Sequence, residues 1–140
     1  MFQMQTDLSV QGDGKMTNDI TEALMARFNA AFLQHQPALL EGLIGEDCVM
    51  ESIQPAPNGT RYVGLDACLA FWQALAADRS SQFELEDTLV AGNRAVIRWR
   101  FNFGAGESVR GVNLMRVSDG RIVEALGYAK SPGAAAPLPD

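Results

Sequence analysis

The sequence predicts an α+β domain, a mainly antiparallel sheet covered by three N-terminal helices. Two observations carry this. Apolar residues recur at helical spacing in three stretches before Ser81, and after Ser81 the period changes to strict alternation up to Tyr128. The alternating stretches are joined by short Gly- and Asn-containing turns, which favour antiparallel neighbours. A sheet with one strongly apolar face needs a cover, and the helices are the cover available.

Residues 1–17 are polar and aperiodic and read as a flexible tail. The first helix opens at Asp19, with Glu22 at capping-box spacing. Ile20, Leu24, Phe28 and Phe32 then form an apolar stripe on a helix of about fifteen residues. His35 and Gln36 fall in the break that follows. Pro37 suits the first position of a second, short helix with Leu39, Leu40, Leu43 and Ile44 buried and Gly45 as its stop. Asp47–Ile53 reads as a short strand, and Pro55–Gly59 as a turn. Gly64 introduces the third helix, which carries Leu65, Leu69, Trp72 and Leu75. Four strands follow. Phe83, Leu85 and Leu89 mark one, and Ala95, Ile97, Trp99, Phe101 and Phe103 line one face of the next. Val109–Val117 and Ile122–Tyr128 are the last two, joined at Asp119-Gly120. The Pro- and Ala-rich residues 131–140 read as a disordered tail, leaving one domain over 18–130.

The 140 residues are 47% hydrophobic and 20% charged, with a formal charge of −6. A chain of this size makes one domain with a real core. Its acidity argues against nucleic acid and against anionic membrane surfaces as partners. No apolar run reaches the roughly 20 residues that span a bilayer, and the N-terminus lacks the pattern of a secretory signal. Cys48 and Cys68 have no metal-site spacing and read as two reduced thiols, which together with the missing signal predicts a cytoplasmic protein. The single histidine, His35, is expected at the surface and cannot make a metal site alone. No phosphate loop or nucleophile elbow is present, so neither a metal nor a cofactor is expected.

Three phrases mark the chain further. Asp47-Cys-Val-Met-Glu51 follows two helices, Gly59-Thr-Arg-Tyr-Val-Gly64 precedes a helix with Phe71-Trp72, and Gly111-Val-Asn-Leu-Met-Arg-Val-Ser-Asp-Gly-Arg-Ile-Val-Glu124 closes the domain. Together they resemble the SnoaL-like branch of the nuclear transport factor 2-like superfamily. The resemblance implies a cone-shaped half-barrel with a curved sheet, a mouth that takes small, often polycyclic molecules, and a homodimer through the sheet. It does not choose among isomerases, cyclases, epoxide hydrolases and non-catalytic binding domains.

Set against ketosteroid isomerases, the proton-shuttling aspartate falls on Ser52, the oxyanion-hole tyrosine on Phe28 and the second oxyanion donor on Asn113. Serine without a neighbouring base does not abstract a proton. An amide, however, still donates a hydrogen bond to a carbonyl. Set against epoxide hydrolases, Arg100 matches an arginine, but the carboxylates fall on Asn102 and Gly127. Polyketide cyclases need a carboxylic acid in an apolar cavity, and Glu51 and Glu124 are the nearest candidates. Strand parity opposes the first of them, because an inward Ser52 turns Glu51 outward.

Asn113 shares a strand face with Met115 and Val117. A buried amide must be hydrogen-bonded, either to a neighbouring strand or to a ligand carbonyl. Phe28, Trp72 and Trp99 read as core residues that also wall a pocket, with Ser52 beside them and Tyr128 at its mouth. Arg98, Arg100, Arg110 and Arg116 alternate on the opposite face, a stripe expected to form ion pairs with Glu84, Glu86 or Glu107, within the sheet or across a dimer. The functional expectation is a pocket for a small apolar or aromatic carbonyl compound. It leaves room for cofactor-free proton transfer of the isomerase or cyclase type. The alternative is a non-catalytic ligand-binding or dimerisation domain of the same fold.

Overall fold

The alternating half of the chain folds as four long strands, each joined to the next by a tight turn. In the computed structural model, which describes residues 2–131 and side chains from Gly14 onward, they are β3 (Gln82–Ala91), β4 (Arg94–Asn102), β5 (Ser108–Ser118) and β6 (Arg121–Ala129). Successive strands pair antiparallel, with Ile97 opposite Asn113 and Asn113 opposite Gly127. Two strands from the first half complete the sheet. β1 (Ile44–Glu51) lies parallel to β6, and the three-residue β2 (Arg61–Val63) lies antiparallel to β1. The order β2-β1-β6-β5-β4-β3 makes an open, curved, mixed sheet. Register shifts at Leu85/Asp87 and Arg116/Val117 mark irregularities of the kind that bend strands.

Two α-helices cover the concave face, α1 (Phe2–Leu33) and α2 (Leu65–Ala77). The helix expected third is present as α2. The one expected second is only a four-residue 3₁₀ turn, Pro37–Leu40. Gly42, at φ +81°, takes a backbone conformation that no helix continues through. Leu43 and Ile44 are buried as expected, but as the entry to β1, and Gly45 lies within that strand rather than stopping a helix. β1 therefore starts before Asp47. β2, inside the Gly59–Gly64 phrase, has no signal of its own in the sequence.

α1 also departs from expectation. It begins at Phe2, so Asp19 sits in mid-helix rather than at a cap, and residues 2–17 belong to the helix. The buried stripe is Thr21, Met25, Phe28 and Phe32, while Ile20 is exposed. Residues 132–140 of the expected C-terminal tail, and Met1, lie outside the described residues.

The stripe on α1 shares one core with α2 and with inner residues of the sheet, including Met50, Ile97, Trp99 and Ala125. Thr21 ties α1 to the β3–β4 turn through a hydrogen bond from its hydroxyl to the Gly92 carbonyl, 2.8 Å. Between β1 and β2, residues 52–60 form a folded rim. Gly59 is required there: at φ +74°, any Cβ on it would run into the Ser52 carbonyl.

Candidate functional site

Where the helices and the curved sheet fail to meet, they leave an open cavity of about 320 Å³. α1 contributes Phe28 and Phe32, α2 contributes Phe71, Trp72 and Leu75, and the sheet contributes Met50, Phe83, Ile97, Trp99, Phe101 and Val109. The rings hold one another in edge and tilted contacts. Phe28 meets Trp72 edge-on at 5.1 Å between centroids, and Phe83 meets Trp99 edge-on at 5.7 Å. Such pairs fix the wall without filling the space. Leu33, Leu85 and Phe103 line the same cavity and are exposed, which places them at its mouth.

Polar residues also line the cavity, Asn29 from α1, Glu51 at the end of β1, Ser52 and Gln54 from the rim, Glu84 from β3 and Asn113 from β5. The Asn29 amide donates to the Thr88 hydroxyl at 3.3 Å. Asn113 stands on β5 between Ile97 of β4 and Gly127 of β6. The Trp99 indole N–H donates to Asn113 Oδ1 at 3.2 Å. Its Nδ2 has no partner among the described residues, and no buried side-chain nitrogen or oxygen there is left unpaired, so Nδ2 is reached by solvent through the cavity. Gly127 keeps the opposite side open. A Cβ on it would meet the Glu51 carbonyl at 2.9 Å and Asn113 Oδ1 at 3.5 Å.

Of the residues singled out from the sequence, Phe28, Glu51, Ser52, Trp72, Trp99 and Asn113 come together around this cavity. Ser52, however, is occupied. Its hydroxyl donates to the Gln54 carbonyl at 3.0 Å and accepts from the Thr60 N–H at 3.3 Å, which clamps the rim. Glu51 follows parity: Cys48 and Met50 are buried, and the Glu51 carboxylate turns to Arg61 at 3.1 Å. Glu124 is not in the cavity. It lies on the convex face, opposite Arg116 in register, and pairs with it at 3.5 Å. Tyr128 is on that face too, exposed beside Arg98 and Arg110, because parity on β6 alternates it with the inward Gly127. Met115 shares the face of Asn113 but is packed into the core beyond the cavity.

The convex face carries the expected arginine pairs. Glu86 takes Arg110 bidentately, at 2.7 and 2.8 Å, and Arg98 at 3.5 Å, while Glu84 takes Arg100 at 3.8 Å. The hydrogen bond from Arg110 holds the Glu86 carboxyl below the usual carboxylate range. Asp87 joins Arg98 at 4.0 Å, and Glu107 takes part in no ion pair among the described residues. Arg100 and Asn102 do not meet in the cavity. Arg100 is on the convex face, and Asn102 donates to the Gln82 carbonyl at 3.3 Å. His35 is not simply solvated, since its ring nitrogens lie 3.0 Å from the Ala76 carbonyl and 2.9 Å from Gln82 Oε1. Cys48 and Cys68 are buried free thiols, and burial first, then the neighbouring Cys68, pushes Cys48 up to about 12. No cluster of metal-ligating side chains occurs among the described residues.

Sequence reasoning missed Phe83, Phe101 and Gly111 as shapers of the site. The first two were legible as inward positions of alternating strands. Gly111 carries no such signal, because its role depends on which ring lies across it.

A family profile described as the SnoaL-like domain matches residues 25–125. The chain belongs to the SnoaL-like family. This SnoaL-like chain is similar to an NTF2-like protein of unknown function from Mesorhizobium loti. The two are 54% identical with a TM-score of 0.78, over 81% of this chain and 93% of that one. It is also similar in fold to a protein from Kribbella flavida named as a candidate ketosteroid isomerase, at 23% identity and TM-score 0.71, over 88% and 85% of the two chains. A candidate polyketide cyclase from Sinorhizobium meliloti shares the fold at 23% identity and TM-score 0.61, over 76% and 94%. No curated protein matches the chain.

Proposed function

We propose that this SnoaL-like domain binds a small apolar or aromatic carbonyl compound in its cavity, with Asn113 Nδ2 donating to the carbonyl oxygen. The observation that supports this is the amide itself, an unpartnered donor on the sheet side of a mainly aromatic and aliphatic cavity, where Asn29, Ser52, Glu51 and Glu84 already have partners. A ligand that offers only apolar surface leaves that donor unpaired, at a cost of about 1–3 kcal/mol. Binding is favoured over turnover. Ser52 clamps the rim, Glu51 is held by Arg61 and Glu124 is on the other face, so none of the candidate acids or bases is aimed at a bound carbonyl.

A thermal-shift screen against aromatic ketones, polyketide-like phenols, steroids, epoxides and fatty acids tests the reading. A carbonyl compound at 100 times its Kd should add about 2.7 kcal/mol of stability. Asn113→Ala should then weaken that ligand by about 1–3 kcal/mol. Silence across the panel, or a carbonyl hit that alanine leaves unchanged, overturns it.

We also propose that the domain pairs with a second copy through the convex face. Leu89, Val96, Leu114 and Leu126 lie opposite one another across β3, β4, β5 and β6, a continuous apolar row. Charged rows flank it, Arg94–Arg116–Glu124 on one side and Asp87–Arg98 on the other. An apolar strip with a polar rim is the anatomy of an interface. The compartment assigned is the cytoplasm, supported by the two free thiols.

A further inference from the structure

The proposed ligand site has a fixed polarity, and two residues that need not touch the ligand fix it. An asparagine amide is nearly symmetric in shape, so unconstrained it can turn over and offer either its nitrogen as donor or its oxygen as acceptor. Here it is constrained. The indole N–H is a donor only, and Trp99 Nε1 stands 3.2 Å from the amide oxygen. Turning the amide would set two donors against each other inside an apolar wall. The ring itself is held in that place by a missing side chain. Gly111 lies directly opposite Trp99, two residues before Asn113 on the same strand. A Cβ on Gly111 would meet Trp99 Cη2 at 2.5 Å and Cζ2 at 2.6 Å. Those atoms belong to the ring edge that also carries Nε1. The edge lies against bare backbone at Gly111 and reaches the amide from there.

We infer that Trp99 and Gly111 lock the Asn113 amide with its nitrogen toward the cavity, so that the site selects a ligand with an acceptor oxygen over the same skeleton bearing a hydroxyl donor. This rests on the ligand-binding reading above and narrows it. Ketones, quinones and esters fit the locked amide. An alcohol that accepts the same bond must send its own O–H away from the aromatic wall, to an acceptor at the polar edge of the cavity such as Gln54 or Glu84. The ketone has no such demand to meet. Trp99 and Gly111 are thus positioning residues, acting through Asn113.

The experiment compares 2-acetonaphthone with 1-(2-naphthyl)ethanol, a ketone and the alcohol of the same skeleton, by calorimetric titration. Wild type should prefer the ketone by about tenfold, the ratio that the net contribution of one hydrogen bond gives. Trp99→Phe keeps a ring in the wall and removes the N–H. The amide is then free to turn, and the ketone preference should collapse toward parity while the alcohol binds more tightly. Gly111→Ala should act in the same direction, but its methyl also meets the Tyr128 carbonyl, so Trp99→Phe is the informative variant. A second measurement does not depend on any variant folding. In a ¹H–¹⁵N spectrum of wild type, the ketone should move the Asn113 side-chain NH₂ pair and leave the Trp99 indole N–H in place. Wild type that binds neither probe overturns the ligand-binding reading and this inference with it. Equal binding of both probes by wild type, an undiminished ketone preference in Trp99→Phe, or an unmoved NH₂ pair overturns the polarity lock alone.

Discussion

Ser52 occupies the position where the resemblance to ketosteroid isomerases places a proton shuttle, yet its hydroxyl is engaged on both sides by the rim. Ser52→Ala should therefore lower stability by about 1 kcal/mol. In hydrogen exchange, loss of protection should be confined to residues 52–60 and their neighbours, with ketone affinity retained. A loss of binding with the rim still protected would mean that Ser52 touches the ligand instead. Cys48 makes a second prediction at this scale. Because its folded-state value is raised from about 9 to about 12, the unfolded chain gives up the thiol proton first, and stability falls as pH climbs through that window. A thiol reagent at neutral pH should label Cys48 only at the rate of unfolding, and Cys48→Ser should flatten the alkaline limb of the stability curve. Parity was enough to place Asn113 inward and to doubt Glu51. It did not place Tyr128, whose orientation depends on β6 pairing Gly127 with Asn113, a register that no local pattern encodes.

Two bonds tie α1 to the β3–β4 turn at Gly92: the Gly92 N–H donates to Asn18 Oδ1, and the Thr21 hydroxyl, in a side chain that is fully buried, donates to the Gly92 carbonyl. Thr21→Val keeps the volume and removes the second bond, and should cost about 1–2 kcal/mol in denaturant unfolding. An unchanged midpoint would show that packing and the Asn18 bond dock the helix without it. Among the strands, Glu86 joins β3 to β4 and β5 through Arg98 and Arg110. Its folded-state value is depressed, so this contribution is complete above the ordinary carboxylate value and is lost as pH falls below it. The acid limb of Glu86→Gln should be shallower than that of wild type. Elements with a long, unbroken period were legible in the sequence: α2 and β3 to β6 fall where the pattern puts them. The failures are short or two-way signals. Leu39, Leu40, Leu43 and Ile44 satisfy a helical face and equally a turn running into a strand, and Gly42 decides between them through a backbone angle. β2 is three residues held by pairing to β1, so nothing in its own sequence distinguishes it.

For the molecule as a whole, the sheet has one buried face and one that presents an apolar row framed by charge. If that row seats a second copy, Leu114→Glu should place charges at the centre of the interface. The sedimentation coefficient should fall to that of a monomer while the circular dichroism spectrum stays native. A wild type that already sediments as a monomer at high concentration would remove the dimer proposal. The α+β plan and the helix-covered sheet were legible because they follow from period and from the need to bury one face. The parallel insertion of β1 beside β6 was not, since it joins distant parts of the chain.

That insertion also bears on the order in which the protein can be made. A ribosome delivers α1, β1 and α2 before β3, yet β1 has only the short β2 on one side until β6 arrives on the other. The nascent chain therefore carries the β6-facing backbone edge of β1 unpaired until that strand arrives. Ile44 can register against Ile122 only after the last strand has cleared the exit tunnel. Arrested chains ending before Arg121 should recruit chaperones and resist closure, whereas chains extended past Ala129 by an unstructured tether should snap shut, and force-sensitive stalling assays would time that step.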